Sequence, residues 1–167
     1  MEFHTIALAH YMPWQRLGML KRALESVFKA PKAQEFGTFS SLEKTGKPNQ
    51  AVLLPAIWDS KAYKDQGIPV LKAPEFDIEP ADLLQRATAY LVSSEAAQVV
   101  ISEPEKASLC ARTRLMRYPD LIYLQALSVD ADDGTSTIAA YSHSVYGYSD
   151  LGANTQRLSR LCASLSA

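Results

Sequence analysis

The feature that most constrains the fold is a change in hydrophobic period along the chain, from about 3.6 residues to about 2. A helix is predicted to begin at Glu79 and Pro80, and Leu83, Leu84 and Leu91 lie on its apolar face. Beyond it come four β-rich runs separated by turn signals, at residues 98–103, 108–117, 121–129 and 137–146. Successive runs with short turns predict an antiparallel meander of about four strands.

Helical patterns stand on both sides of this meander. Near the C-terminus, Leu158, Leu161 and Leu165 recur at helical spacing, and Asn154 is the predicted N-cap. A further amphipathic helix is predicted from Pro13 to Lys29. Strands in one run with helices outside it predict an α+β fold, with the helices packed on one face of the sheet.

The segment between the first two helices is rich in proline. Six prolines lie within residues 31–80, and they predict a mainly extended, looping connection. One apolar run, residues 51–54, is interpreted as an edge strand or the end of a strand. We predict that residues 1–44 form the N-terminal helix and a linker, and that residues 45–167 form a single α+β domain.

Charge and composition exclude several classes of protein. The 17 basic and 18 acidic residues nearly cancel, which argues against a nucleic-acid partner. No apolar run is long enough for a membrane span, and no signal-peptide pattern is present, so a cytoplasmic location is expected. Neither Cys110 nor Cys162 has a Cys or His at ligand spacing, and His4 and His10 are not at helical pair spacing. We therefore expect buried, unpaired cysteines, no metal and no cofactor.

The predicted N-terminal helix admits two interpretations. Its apolar stripe, which includes Leu20, Leu24 and Val27, suits a helix that covers the domain core. Its basic residues, which include Lys21 and Arg22, also suit peripheral contact of residues 13–29 with an anionic membrane surface. The oligomeric state is left open.

The most distinctive stretch leaves the last strand, turns at Gly147 and Gly152 and enters the last helix. It resembles the closing signature of the domain-of-unknown-function family fourteen-ninety-nine, Ser-x-Ser-x-x-Gly-Tyr-Ser-Asp-x-Gly-x-Asn-x-x-Arg. The fixed positions are met by Ser142, Ser144, Gly147, Tyr148, Ser149, Asp150, Gly152, Asn154 and Arg157. The run from Arg117 to Asp120 resembles the family's Arg-aromatic-Pro-Asp turn, and residues 47–49 with Pro55 resemble its early Pro-Asn segment.

The resemblance covers about residues 45–165. It implies a fold and no reaction, because the family has no established activity. Many members carry an N-terminal membrane anchor or export signal that residues 1–44 do not show, and many have Arg where His143 stands.

The signature residues suit either a structural clamp or a ligand site. As a clamp, Asp150 and Asn154 bond to backbone N–H groups, while Arg157 pairs with Asp150 or Asp120. As a ligand site, the helix start and nearby arginines hold a carboxylate or phosphate where the Pro119 turn meets residues 147–157. The candidate residues are Arg112, Arg114, Arg117, Asp120, Ser142, Ser144, Ser149, Asp150, Asn154 and Arg157.

Function is interpreted as non-catalytic binding of a small molecule or protein partner, because no nucleophile, base and orienting group assemble in the sequence. In a strand, His143 points away from Ser142 and Ser144, which argues against a local hydrolytic triad. The alternative is a hydrolase that uses Asp120, Asp150 or His143 as acid or base. A third interpretation is a membrane accessory protein attached through residues 13–29. Five tyrosines of the meander would line a groove if they share a face: Tyr118, Tyr123, Tyr141, Tyr146 and Tyr148.

Overall fold

The computed structural model describes residues 13–29, 39–130 and 134–167, without the side chains of residues 13–17. The helices in this part are α1 (Pro13–Val27), α2 (Lys61–Asp65), α3 (Pro80–Ser94) and α4 (Ala153–Leu165). The strands are β1 (Gln50–Pro55), β2 (Val70–Ala73), β3 (Glu75–Phe76), β4 (Gln98–Ser102), β5 (Lys106–Arg112), β6 (Pro119–Asp130) and β7 (Thr135–Ser144). Residues 39–41 form a short 3-10 helix. His4 and His10 lie outside the described residues.

The strands form one seven-stranded mixed sheet in the order β2-β1-β7-β6-β5-β4, and β3 pairs with β7 beside β1. Only β1 and β2 run parallel among these pairs. The predicted α+β class is confirmed, and the four predicted strands correspond to β4–β7. The sheet is larger than predicted because the proline-rich segment supplies β1, β2 and β3, whereas the sequence predicted a strand in this segment only at residues 51–54.

The interpretation of residues 51–54 as an edge strand or strand end is wrong. β1 lies between β2 and β7, and all six of its residues are buried. Prolines do not prevent this, since Pro55 ends β1 and Pro69 lies just before β2. Pro69 takes part in pairing through its carbonyl oxygen, which accepts the Val52 N–H at 2.9 Å. A carbonyl acceptor does not need the N–H that proline lacks.

The sheet has two differently covered faces. Helices α3 and α4 pack on one face, against side chains such as Leu53, Ile122 and Ile138. The other face carries Tyr123 and Tyr141, and its cover comes from irregular segments and α2. Those covering side chains are Phe39, Leu42, Trp58, Tyr63 and Ile68. We call these the helical face and the aromatic face.

The β5–β6 connection differs from the prediction of a strand through Arg117. β5 ends at Arg112, and the Tyr118 N–H donates to Thr113 Oγ1 at 2.9 Å across the turn. Arg117 lies in the left-handed region at φ 57°, which a strand does not allow. Cys110 is buried in β5 and Cys162 is partly buried in α4, both unpaired.

Helix α1 touches the domain at its C-terminal end. Phe28, just beyond the helix, packs edge-on against Tyr118 with ring centroids 4.5 Å apart, and Glu25 pairs with Arg117. Leu20 and Val27 are 56% and 68% exposed, so this part of the stripe does not cover the core. Within the described chain, no helix is long and apolar enough to cross a membrane.

Candidate functional site

Arg157 and Asp120 form a buried ion pair between α4 and β6. Arg157 Nη2 lies 2.8 Å from Asp120 Oδ2, with the two side chains only 5% and 0% exposed. Arg157 Nη1 donates to Asn154 Oδ1 at 2.6 Å and to Ser142 Oγ at 3.1 Å. On its other side, Arg157 Nε lies 3.5 Å from Glu95 Oε2, at the end of α3. One guanidinium therefore ties α4 to the sheet and to α3.

Asn154 is buried and bonds in several directions. Its amide nitrogen donates to the Asn49 carbonyl at 3.0 Å, to Ser144 Oγ at 3.2 Å and to Asp150 Oδ2 at 2.7 Å. Its amide oxygen accepts from Ser142 Oγ at 2.5 Å, in addition to Arg157. This side chain connects the start of α4 to both β7 and the residue before β1.

The prediction that Asn154 is the N-cap is wrong. Gly152 is the cap residue, in the left-handed region at φ 80°, a conformation that glycine adopts without a Cβ clash. The capping side chain is that of Asp150, which accepts the Gly152 N–H at 3.0 Å and the Asn154 N–H at 2.8 Å. The positive end of the helix dipole also stabilises a negatively charged carboxylate at this position.

Asn49 belongs to the same network. Its side-chain nitrogen donates to the Ser144 and Gly147 carbonyls, each at 3.1 Å. Its own carbonyl accepts the Ser144 N–H at 2.9 Å. Asn49 belongs to the segment that resembles the family's early Pro-Asn segment, but it is not among the candidate site residues predicted from the sequence. No sequence motif points to Glu95 as a partner of Arg157.

We call the following residues the polar cluster: Asn49, Asp120, Ser142, Ser144, Asp150, Asn154 and Arg157. Except for Asp150, all are buried. Among the described residues, Asp120 Oδ1 and Arg157 Nε are the cluster's buried side-chain atoms without a hydrogen-bond partner. Nearly every donor and acceptor is thus used within the protein, which favours a fastening role over an exposed ligand site.

The other candidate residues take no part in the hydrogen bonds of the polar cluster described above. Arg112 Nη1 donates to the carbonyls of Phe28 and Arg117, each at 2.9 Å, and Arg114 is exposed. Arg117 pairs with Glu25, and Ser149 Oγ accepts the Leu151 N–H at 3.2 Å. The structure therefore does not gather Arg112, Arg114 and Arg157 around one anion position.

His143 lies on the aromatic face, away from the two serines beside it. Its ring stacks on Tyr141 with centroids 5.0 Å apart, and burial lowers the pKa of the imidazole. Ser142 and Ser144 instead join the polar cluster on the helical face. The side chains of Ser142, His143 and Ser144 therefore do not form a local triad. His143 also does not converge with Asp120 and Asp150.

The five tyrosines do not share one groove. Tyr123 and Tyr141 stack on the aromatic face, with ring centroids 6.1 Å apart. Tyr118 and Tyr146 meet Phe28 near the end of α1, while Tyr148 is 73% exposed.

A cavity of about 670 Å³ opens on the aromatic face. Among the described residues, its walls combine aromatic rings with a single lysine and a few polar groups. They are Phe39, Ser40, Leu42, Lys44, Trp58, Asp59, Ala62, Tyr63, Gln66 and Gln125. We call it the aromatic cavity. Gln125 helps to shape it, because its Oε1 accepts the Phe39 N–H at 3.1 Å.

Comparison with known families identifies the chain at the level of family. A family model described as "Protein of unknown function (DUF1499)" matches residues 31–165. The chain belongs to the DUF1499 family. The search of curated proteins finds no match.

The structure gives the DUF1499 signature a physical meaning in this chain. Its Ser142, Ser144, Asp150, Asn154 and Arg157 positions all fall in the polar cluster, which fastens α4 to the sheet. Its glycine positions at 147 and 152 have positive φ angles of 88° and 80°. In the described part of the chain, no group of three or more His, Cys, Asp or Glu side chains is placed to hold a metal ion.

Proposed function

We propose that this DUF1499 protein is a non-catalytic binding domain for a small molecule, and that the aromatic cavity is its binding site. The observation that carries the proposal is the cavity itself, with about 670 Å³ of space beside Trp58, Phe39 and Tyr63. Ligand sites are typically concave, mainly apolar pockets of about 300–1,000 Å³ with a few polar groups.

The arrangement of polar side chains supports binding rather than catalysis. General acid–base work needs groups within hydrogen-bond reach of one reacting atom. Asp120 is paired with Arg157 on the helical face, and Asp150 caps α4. His143 lies on the aromatic face, so the three groups proposed for a hydrolase do not converge.

The test is a search for ligands that need the cavity. We would screen fluorinated aromatic and aliphatic fragments by fluorine NMR, with anionic, neutral and cationic members in the panel. Ala62, an exposed residue of α2 on the cavity wall, would be replaced by tryptophan to fill the space. Ala163→Trp, at an exposed position of α4, is the matched control.

We expect fragments that bind the native protein and Ala163→Trp but not Ala62→Trp. Binding that survives Ala62→Trp unchanged places the ligand elsewhere and contradicts the proposal. A panel in which no fragment binds the native protein contradicts it as well. Thermal midpoints of the three proteins would be compared to confirm that each is folded.

We also propose, as a second function, peripheral contact of α1 with an anionic membrane surface. The observation that favours it is the exposure of Met19, Leu20 and Val27 on the same helix as exposed Lys21 and Arg22. Apolar side chains that enter the headgroup region beside basic residues are typical of interfacial helices.

Vesicle flotation tests this second proposal. We expect binding to vesicles that contain phosphatidylglycerol and weaker binding to pure phosphatidylcholine, because the basic residues favour anionic lipid. Replacing Leu20 and Val27 by serine should reduce flotation, whereas Leu115→Ser, at an 80% exposed site outside α1, should not. Failure to float with either lipid contradicts the proposal.

A further inference from the structure

Lys44 projects its ammonium group into an aromatic surrounding at the wall of the cavity. Its Nζ lies 4.6 Å from the ring centroid of Tyr141, 5.2 Å from that of Tyr63 and 5.5 Å from that of Phe39. The same atom donates a hydrogen bond to the Leu42 carbonyl at 3.0 Å. Ring faces and one carbonyl hold the cation in place without neutralising it.

The described part of the chain places no carboxylate against this charge at close range. Among the described residues, no Asp or Glu oxygen lies within 4.0 Å of the Lys44 nitrogen. Burial lowers the pKa of the amine to about 8. A partly desolvated cation without an ion-pair partner is costly, and an anion placed against it would offset that cost.

The remaining walls fit the body of such an anion. Trp58 and Phe39 pack together with ring centroids 5.5 Å apart, next to Leu42 and Ala62 in the cavity lining. The acidic lining residue, Asp59, is exposed and accepts the Lys61 N–H at 2.8 Å. Apolar surface therefore adjoins Lys44 on one side of the cavity. The carboxylate of Asp59 is already hydrogen-bonded to a backbone N–H.

We infer that the aromatic cavity takes an amphiphilic carboxylate, with its apolar or aromatic body against Trp58 and Phe39 and its carboxylate on Lys44. This inference rests on the proposed binding function of the cavity and adds the class of ligand. Lys44 supplies the charge that distinguishes an acid from a neutral molecule of the same shape.

Three ligands of matched shape test the inference: the carboxylate 4-(4-fluorophenyl)butanoate, the neutral 4-(4-fluorophenyl)butanamide and the cationic 4-(4-fluorophenyl)butylamine. Their dissociation constants would be measured by fluorine NMR at neutral pH. A hydrogen bond that gains a charged partner strengthens binding by about tenfold or more. We expect the acid to bind most tightly, the amide about tenfold or more weakly, and the amine most weakly.

Two lysine variants test whether Lys44 causes the preference for the carboxylate over the amide. Lys44→Met keeps an apolar stem of similar length, and it should bring the affinity for the acid down to that for the amide. Lys47→Met, at an exposed position three residues away, should leave both affinities unchanged. Lys44→Gln serves as a second variant if Lys44→Met does not fold, as judged by its thermal midpoint.

The outcomes separate this inference from the proposal beneath it. Equal binding of all three ligands, lost in Ala62→Trp, overturns the carboxylate inference and leaves the binding site in place. Tightest binding of the amine also overturns it, because the carboxylate of Asp59 in the cavity lining would then decide selectivity. Absence of binding by every ligand overturns both. A preference for the acid that persists in Lys44→Met overturns the role of Lys44.

Discussion

At the scale of single residues, the Arg157–Asp120 pair is where a substitution should cost most. Both side chains are withdrawn from water, so each charge depends on the other. Removing one partner of such a pair leaves an uncompensated buried charge, whereas replacing both removes the problem. This asymmetry distinguishes a buried fastening pair from an exposed one.

We expect Arg157→Met to lower the free energy of unfolding by about 3–5 kcal/mol, since it strands the Asp120 carboxylate. Adding Asp120→Leu to Arg157→Met should recover a large part of that loss. Urea unfolding of the two variants measures both values. Arg160→Met is the control, because Arg160 is half exposed and its loss should cost about 1 kcal/mol or less. If the single and double variants lose the same unfolding free energy, the stranded charge of Asp120 is not the cause of the loss, which contradicts the prediction.

A pH effect belongs to His143. Burial holds its folded-state pKa below the ordinary value of 6.5, so in mild acid the unfolded chain binds the proton more readily than the folded one. Linkage then requires that stability fall as the pH drops through about 6.5. We expect the native protein to lose more unfolding free energy between neutral pH and pH about 5.5 than His143→Gln does. A steeper loss in the variant would contradict this assignment.

At the scale of elements, the sequence predicts those strands that pair with a strand next to them along the chain. The strands β4–β7 and helices α3 and α4 follow from periodicity, and each of these strands pairs with the next one along the chain. β1 and β2 were not recovered as a pair, since parallel pairing of Val52 with Val70 joins segments across a loop and α2. Prolines at their ends concealed them further.

The end of α3 offers a prediction at this scale. Ala96 follows the helix with φ 49°, in the left-handed region where glycine commonly ends helices. We expect Ala96→Gly to stabilise the protein by about 0.5–1 kcal/mol, because it relieves the Cβ clash of that conformation.

Ala89→Gly in the same helix is the matched control. Ala89 is exposed within the helical turns of α3, so glycine there should destabilise by about 1 kcal/mol. Thermal midpoints of both variants would be compared with that of the native protein. A loss of stability in Ala96→Gly would show that the alanine carries no strain.

At the scale of the whole molecule, the two faces of the sheet differ in how far the sequence could anticipate them. The polar cluster includes many of the predicted residues because they concentrate within residues 142–157, in one polar turn. The aromatic cavity had no local motif, since its walls come from residues 39–44, 58–66 and position 125. Lys44 and Trp58 become neighbours of one space only when the sheet brings these segments together.

We propose that the polar cluster fastens the fold while the aromatic cavity binds ligand. An amide correlation spectrum, recorded while the protein is titrated with 4-(4-fluorophenyl)butanoate, tests both parts of this proposal at once. We expect shifts at residues 39–44 and 58–66 and at the indole N–H of Trp58, with residues 142–157 nearly unchanged. Shifts centred on residues 142–157, or none anywhere at saturating ligand, would contradict the claim.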